Sequence, residues 1–274
     1  MKWITFSRKM GTNGSEVAKR VASELGYRLY DTKAINHMAQ ELGFLESVRE
    51  VDDKAPPIFQ RLFSQRPMVD LERLYSVIYE LAKQGDAVFL GRGSHILLRD
   101  FPCALHVRVT ASLEKCIHTL MDQGLNREAA ARAIKRGDDE RSAFVKFAFG
   151  VDWEDPERYD LVLNMDKLSV NLAISTVLHM ARSPEISEAS VDAIRSLETM
   201  ALASRAEAAL IAATFEHRFV PSLSVSVVEP GKVRVSGNVE TEGRKAEAEK
   251  VLRSVKGVKS VENAIVVIPI QGAV

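Results

Sequence analysis

Short apolar-rich runs alternate with helix-period segments through the first 182 residues, and that alternation limits the fold more than any other feature. "WITF" at 3–6, "YRLY" at 27–30, "AVFL" at 87–90, "ALHVRV" at 104–109 and "DLVLN" at 160–164 have the length and composition of strands. Amphipathic stretches lie between them, at 16–25, 70–84, 112–122 and 126–148. Strands separated by helices favour a parallel sheet, because each parallel connection needs a crossover long enough to hold a helix. The expected class for 1–182 is therefore α/β, with helices on both faces of the sheet.

The pattern changes after residue 182. "RSPEIS" at 182–187 is the expected boundary, since Pro184 disfavours helix at Ser183. Glycine is absent between Gly150 and Gly231, and 187–215 is alanine-rich with helical spacing, so 183–214 reads as a helical linker. Residues 215–274 read as a small α+β domain. Two alternating strands flank the turn Glu229-Pro230-Gly231-Lys232, "EGRKAEAEKVLRSV" follows as a helix, and "ENAIVVIP" makes a third strand that Pro269 ends.

Composition removes several function classes. The chain has 274 residues, enough for one large domain and a small one, and 46% of them are hydrophobic. Lys plus Arg equals Asp plus Glu at 37 each, so no global field recruits nucleic acid or an anionic membrane. The two cysteines, Cys103 and Cys116, are too few for a disulfide framework and too far apart for a metal knuckle, which fits a reducing, cytoplasmic setting. The N-terminal apolar run is too short for a signal peptide, and no 18 apolar residues run uninterrupted, so membrane insertion is not expected.

Chemistry concentrates first in "SRKMGTNGSEVAKRVASELG" at 7–26. A loop between a strand and a helix can bind phosphate, because its backbone N–H groups converge and the helix N-terminus adds positive potential. Gly11 and Gly14 permit such a path, with Thr12, Asn13 and Ser15 completing the loop. The residues alone are equally compatible with an ordinary strand-to-helix turn. No lysine stands where a phosphate loop usually carries one.

The stretch from Gly11 to Ala34 resembles the start of cytidylate kinases, where a phosphate loop, a helix of the type VAKRLAEKLG and a strand ending in Asp-Thr follow in order. With the helices aligned, Gly14 occupies the lysine position and Glu16 the position of a magnesium-contacting Ser or Thr. "ITFSRKMGTNGSEVA" is similar to a distinct branch, the cytidylate kinase-like family, in which Ser-Arg follows the first strand and that lysine is missing. "VFLGRGSHILLRDFP", "IKRGDDERSAFVKFAFGVDWEDPERYDLVLN" and "KLSV" match further segments of that family in order.

The resemblance implies a P-loop kinase-like fold that transfers a phosphoryl group from ATP, with Mg2+, to a nucleoside monophosphate, CMP or dCMP first. It implies that Arg8 or Lys9 replaces the lysine, with Arg8 favoured because Ser7-Arg8 belongs to the similarity. It implies lid arginines Arg136 and Arg141 on a helix broken by Gly137, and Asp138 orienting Arg141. It implies acceptor contacts from Arg92 and Asp31, and a magnesium contact from Glu16. Blander roles stand beside these: Asp31 as a helix N-cap, Glu16 as a favourable first-turn charge, Arg92 as a solvated loop arginine. His37 reads as a surface or packing residue, Trp153 and Tyr159 as packing at the lid base and the last strand, and Ser94-His95 lacks an acid partner for a triad. The rival reading is a nucleotide-binding sensor or scaffold that has lost turnover.

"KVRVSGNVETEGRKAEAEKVLRSVKGVKSVENAIVV" resembles a BON domain in Ser236-Gly237 and in Gly257, Val258, Val261 and Asn263. The resemblance implies an interaction or regulatory role through a protein or lipid surface, and self-association stays open. Residues 219–274 carry 8 basic and 6 acidic side chains, a net of +2 that does not indicate strong binding to anionic lipid.

Overall fold

The computed structural model of the protein describes residues 1–44, 66–214 and 223–268. The expected domain start at 215 and the strand-ending Pro269 lie outside them. Helices run α1 (Gly14–Leu25), α2 (Thr32–Glu41), α3 (Arg66–Ala82), α4 (Ser94–Leu97), α5 (Leu113–Asp122), α6 (Arg127–Phe149), α7 (Val170–Arg182), α8 (Val191–Thr214) and α9 (Glu242–Ser254). Strands run β1 (Trp3–Arg8), β2 (Arg28–Tyr30), β3 (Ala87–Leu90), β4 (Ala104–Thr110), β5 (Leu161–Asn164), β6 (Leu223–Glu229), β7 (Lys232–Val239) and β8 (Ser260–Val267). The described residues pack as two units, one of 1–38 and 84–193, the other of 39–44, 66–83, 194–214 and 223–268.

The first unit is built on a five-stranded parallel sheet in the order β2-β3-β1-β4-β5. Successive strand residues point to opposite faces, so alternate residues serve different layers. Ile4, Phe6, Leu105, Val107 and Val109 share one apolar core with Val17 and Val21 of α1, Ile117 of α5 and Val177 of α7. The opposite set on β1 and β4 is polar yet buried: Thr5, Ser7, His106 and Arg108 are each at most 4% exposed. Ser112, Asn126 and Ser169 start α5, α6 and α7 by accepting a backbone N–H from the residue three ahead.

Helix α6 differs from the sequence expectation. It runs unbroken through Gly137. A lone glycine costs a helix interior only about 1 kcal/mol, and here the missing side chain makes room: a Cβ at 137 meets Met10 Cε at 2.9 Å.

The second unit carries a three-stranded sheet, with β6 antiparallel to β7 and β8 parallel to it. Gly231, at φ 81°, takes the left-handed turn between β6 and β7. Leu202, Ala206 and Leu210 of α8 close one sheet face over Val233, Val235 and Ile265, beside Leu252 of α9. Helix α3 packs in this unit as well, through an ion pair of 2.6 Å between Glu80 and Arg205 of α8. Among the described residues no helix is long and apolar enough to cross a membrane.

Candidate active site

The loop between β1 and α1 encloses a pocket of about 330 Å³, lined by residues 8–16 with Leu120, Gln123 and Arg141. Gly11 and Asn13 adopt φ of 79° and 57°, both left-handed. Gly11 has a second constraint: an added Cβ meets the Cys116 carbonyl oxygen at 2.6 Å. Thr12 is spent on the loop's own shape. Its buried hydroxyl donates to the Lys9 carbonyl at 2.8 Å and accepts the Gly14 N–H at 3.3 Å. Burial pushes the Cys116 thiol up to about 11, with Asp138 adding to the rise, so this cysteine stays protonated and is no nucleophile.

Gly14 explains the absent lysine in packing terms. A Cβ at this position meets Arg8 Cβ at 2.7 Å and Val109 Cβ at 3.0 Å. The root of the Arg8 side chain thus occupies the space where a side chain at 14 would begin. Arg8 extends along the pocket and donates from Nε to Ser15 Oγ at 3.3 Å. Any side chain at 8 would bring the same Cβ, so the contact accounts for glycine at 14, and arginine is set apart by its reach into the pocket.

Helix α6 closes the pocket from another side. Asp138 Oδ1 accepts the Met10 N–H at 2.9 Å and Arg141 Nη1 at 3.0 Å, fixing loop and arginine at once. Burial raises the Asp138 carboxyl above its ordinary range, opposed by that N–H and by Arg141. Arg141 Nε is buried with no hydrogen-bond partner among the described residues, so a donor stands beside the pocket for a ligand oxygen. Glu16, in the first turn of α1, puts one carboxylate on the same lining. One carboxylate suits Mg2+, which keeps waters and takes phosphate oxygens rather than needing a cage of side chains. Among the described residues no group of three metal-ligating side chains occurs.

The buried polar face of β1 and β4 was not singled out in the sequence as part of the site. Ser7 pairs in register with Arg108. Ser7 Oγ accepts Trp153 Nε1 at 2.6 Å and Tyr159 OH at 3.2 Å. Arg108 donates to the Trp153 carbonyl at 2.7 Å and lies over the Trp153 ring at 4.4 Å. Its second nitrogen reaches Glu154 Oε1 at 3.2 Å, and Lys9 Nζ meets the same oxygen at 2.7 Å. His95 stacks on Tyr159 at 4.9 Å, and burial lowers its pKa to about 3, so the ring is neutral. A strand buried on both faces cannot carry His106 and Arg108 without partners, and that was the available signal.

Four expected residues do not line this pocket: Asp138, which stands behind it holding Met10 and Arg141, and Arg136, Asp31 and Arg92. Arg136 is 76% exposed and pairs with Glu140 one turn on. Asp31 caps α2, accepting the N–H groups of Lys33 and Ala34 at 3.0 and 3.2 Å. Arg92 is 1% exposed, with φ 59° between Gly91 and Gly93, and the Phe149 ring rests where a Cβ at Gly93 would stand.

Residues 3–167, more than half of the chain, match the model of the cytidylate kinase-like family. The chain belongs to that family. Residues 201–269 match the BON domain. A curated relative, a cytidylate kinase of Ignicoccus hospitalis, is 25% identical over 182 residues, covering 66% of this chain and 99% of that protein. An uncharacterized protein from Eubacterium ventriosum has a similar fold, with TM-score 0.54 at 18% identity over 67% of this chain and 99% of its own. The cytidylate kinase-like part is thus a kinase-type α/β unit whose loop, in this member, has Arg8 packed against Gly14.

Proposed function

We propose that the protein transfers the γ-phosphoryl group of ATP to a nucleoside monophosphate, with CMP and dCMP the first acceptors. The carrying observation is the pocket where Arg8, Lys9 and Arg141 meet the Gly11–Ser15 loop, with Arg8 seated against Gly14. Phosphoryl transfer asks a protein mainly for positioning and for positive charge around the phosphoryl oxygens. Arg8 offers a planar fork, Lys9 a mobile point charge, and Arg141 a guanidinium held by Asp138. The cations lining the pocket suit a triphosphate, and Glu16 would hold its magnesium ion, which supplies charge neutralisation when bound.

Acceptor binding is assigned to Asp31 and Arg92, just past the C-terminal ends of β2 and β3. In a parallel sheet those ends share one edge with the loop after β1. Because Arg92 is 1% exposed, this assignment requires the residues over it to move when the acceptor enters. A solvent-facing Arg136 is available to a lid only after a similar rearrangement. The BON domain is assigned an interaction role, toward a protein or lipid surface, and a cytoplasmic setting with ATP at hand accompanies this reading.

Purified full-length chain with ATP, Mg2+ and a panel of monophosphates tests the proposal, with ADP release followed beside thermal shifts. The expected result is acceptor-dependent ADP release, strongest with one pyrimidine monophosphate. Nucleotide-induced shifts with no turnover for any acceptor contradict it and leave a nucleotide sensor.

A further inference from the structure

Two consecutive residues at the mouth of the phosphate loop are each held by a carboxylate. Met10 gives its N–H to Asp138 at 2.9 Å, and Lys9 gives its ammonium to Glu154 at 2.7 Å. Asp138 also fixes Arg141, so its contact belongs to the pocket wall. Glu154 is different, because nothing in the transfer reaction calls for an anion beside a phosphate-binding cation.

The position of Glu154 is determined from behind. Its Oε1 takes Arg108 Nη2 at 3.2 Å as well as Lys9 Nζ. Arg108 is 4% exposed, donates to the Trp153 carbonyl at 2.7 Å and is sandwiched near the rings of Trp153 and Tyr159. Glu154 N–H is itself bound to Asp152 Oδ1 at 2.8 Å. Arg108 is therefore the fixed member, and it anchors the carboxylate of Glu154, whose side chain is itself 54% exposed. Lys9, 29% exposed on a flexible four-carbon stem, is the member that can change partner.

We propose that Glu154 is a built-in competitor for the phosphate pocket: it holds Lys9, and Lys9 passes from it to a phosphate oxygen when a polyphosphate enters. The inference rests on the phosphate-pocket reading above. Arg108 acts through Glu154 as a positioning residue. A carboxylate at 2.7 Å neutralises much of the lysine's charge, so a ligand must replace that contact rather than add to it. A polyphosphate chain does so because it gains Arg8, the loop and Arg141 in the same event.

The test uses the full-length chain and inorganic triphosphate as probe, by calorimetric titration at fixed ionic strength, on wild type, Glu154→Gln, Lys9→Gln and the double variant. Glutamine keeps an oxygen for Arg108 while removing the charge that binds Lys9. For a half-exposed pair, release of Lys9 corresponds to triphosphate binding about two- to fivefold tighter in Glu154→Gln. Lys9→Gln weakens binding, and adding Glu154→Gln to it restores nothing. Equal or weaker binding by Glu154→Gln, with wild type binding normally, overturns the competitor role alone. A gain that persists in the double variant overturns it too, since it then reflects the general field. No triphosphate binding by wild type or any variant overturns both this inference and the phosphate-pocket reading.

Discussion

The two units handle charge in opposite ways. In the first, cations gather at a pocket: Arg8, Lys9 and Arg141 line it, with Arg141 held by Asp138 and Lys9 by Glu154. In the second, part-buried carboxylates lie along the α3 and α8 helices. Burial pushes Glu72 up to about 7, against a hydrogen bond from Ser204 and with Glu207 nearby adding to the rise. Glu207 is also raised by burial, although it accepts the Val225 N–H. Burial acts on Glu80 as well, but hydrogen bonds from Arg205 and Lys83 overcome it and hold that carboxyl low. On the proposed function, charge at the pocket meets a ligand; charge in the helix seam meets itself, and incompletely so at Glu72.

The sharpest way to break the comparison is to supply the conventional lysine. Gly14→Lys forces a Cβ onto those of Arg8 and Val109, and overpacking of that kind costs about 3 kcal/mol. The expected outcome is a lower melting temperature with no gain in turnover; a stable variant with raised turnover removes the packing account. In the second unit, Arg205→Ala leaves the part-buried Glu80 with Lys83 alone and should cost about 2 kcal/mol in denaturant unfolding. A loss below about 0.5 kcal/mol would show that the pair is a surface-type contact.

Glu72 gives the pH-dependent case. Its folded pKa, about 7, lies above the ordinary 4.5, so the native state holds more protons between those values. Its contribution to stability therefore falls as pH rises from 4.5 to about 7 and stays low above that. Glu72→Gln should raise stability at pH 8 by about 2 kcal/mol and leave it unchanged near pH 4. Equal unfolding midpoints for the two proteins at pH 8 would contradict the buried-acid assignment. The smallest effect belongs to Arg136→Ala, since an exposed pair one turn apart on a helix contributes about 0.3–0.5 kcal/mol. If its turnover falls tenfold, the lid rearranges on ligand binding to bring Arg136 inward.

Strands β3 and β4 were legible because a buried run is written in the residues themselves; "AVFL" became β3 at 87–90 without adjustment. The partner of a buried face is not written there. Helix α3 shows its periodicity plainly, yet its packing with α8 depends on Arg205, more than 120 residues away. At the site, Gly11 and Gly14 were readable as backbone requirements, but the collision that ties Gly14 to Arg8 needed coordinates. Gly137 was misread as a break because a helix glycine looks the same whether it ends the helix or admits a neighbour such as Met10. Arg108 looked like an ordinary alternate residue of a strand, and its partners Trp153 and Glu154 come from beyond the next two helices.

The central claim is that Arg8 stands in for the absent lysine. Steady-state ADP release with ATP, Mg2+ and CMP or dCMP, measured side by side for wild type and Arg8→Ala, tests it most directly. The account predicts at least about a tenfold fall in kcat, equivalent to 1.4 kcal/mol of barrier, with the melting temperature preserved. Unchanged turnover in a folded Arg8→Ala protein would contradict it and move the role to Lys9 or Arg141.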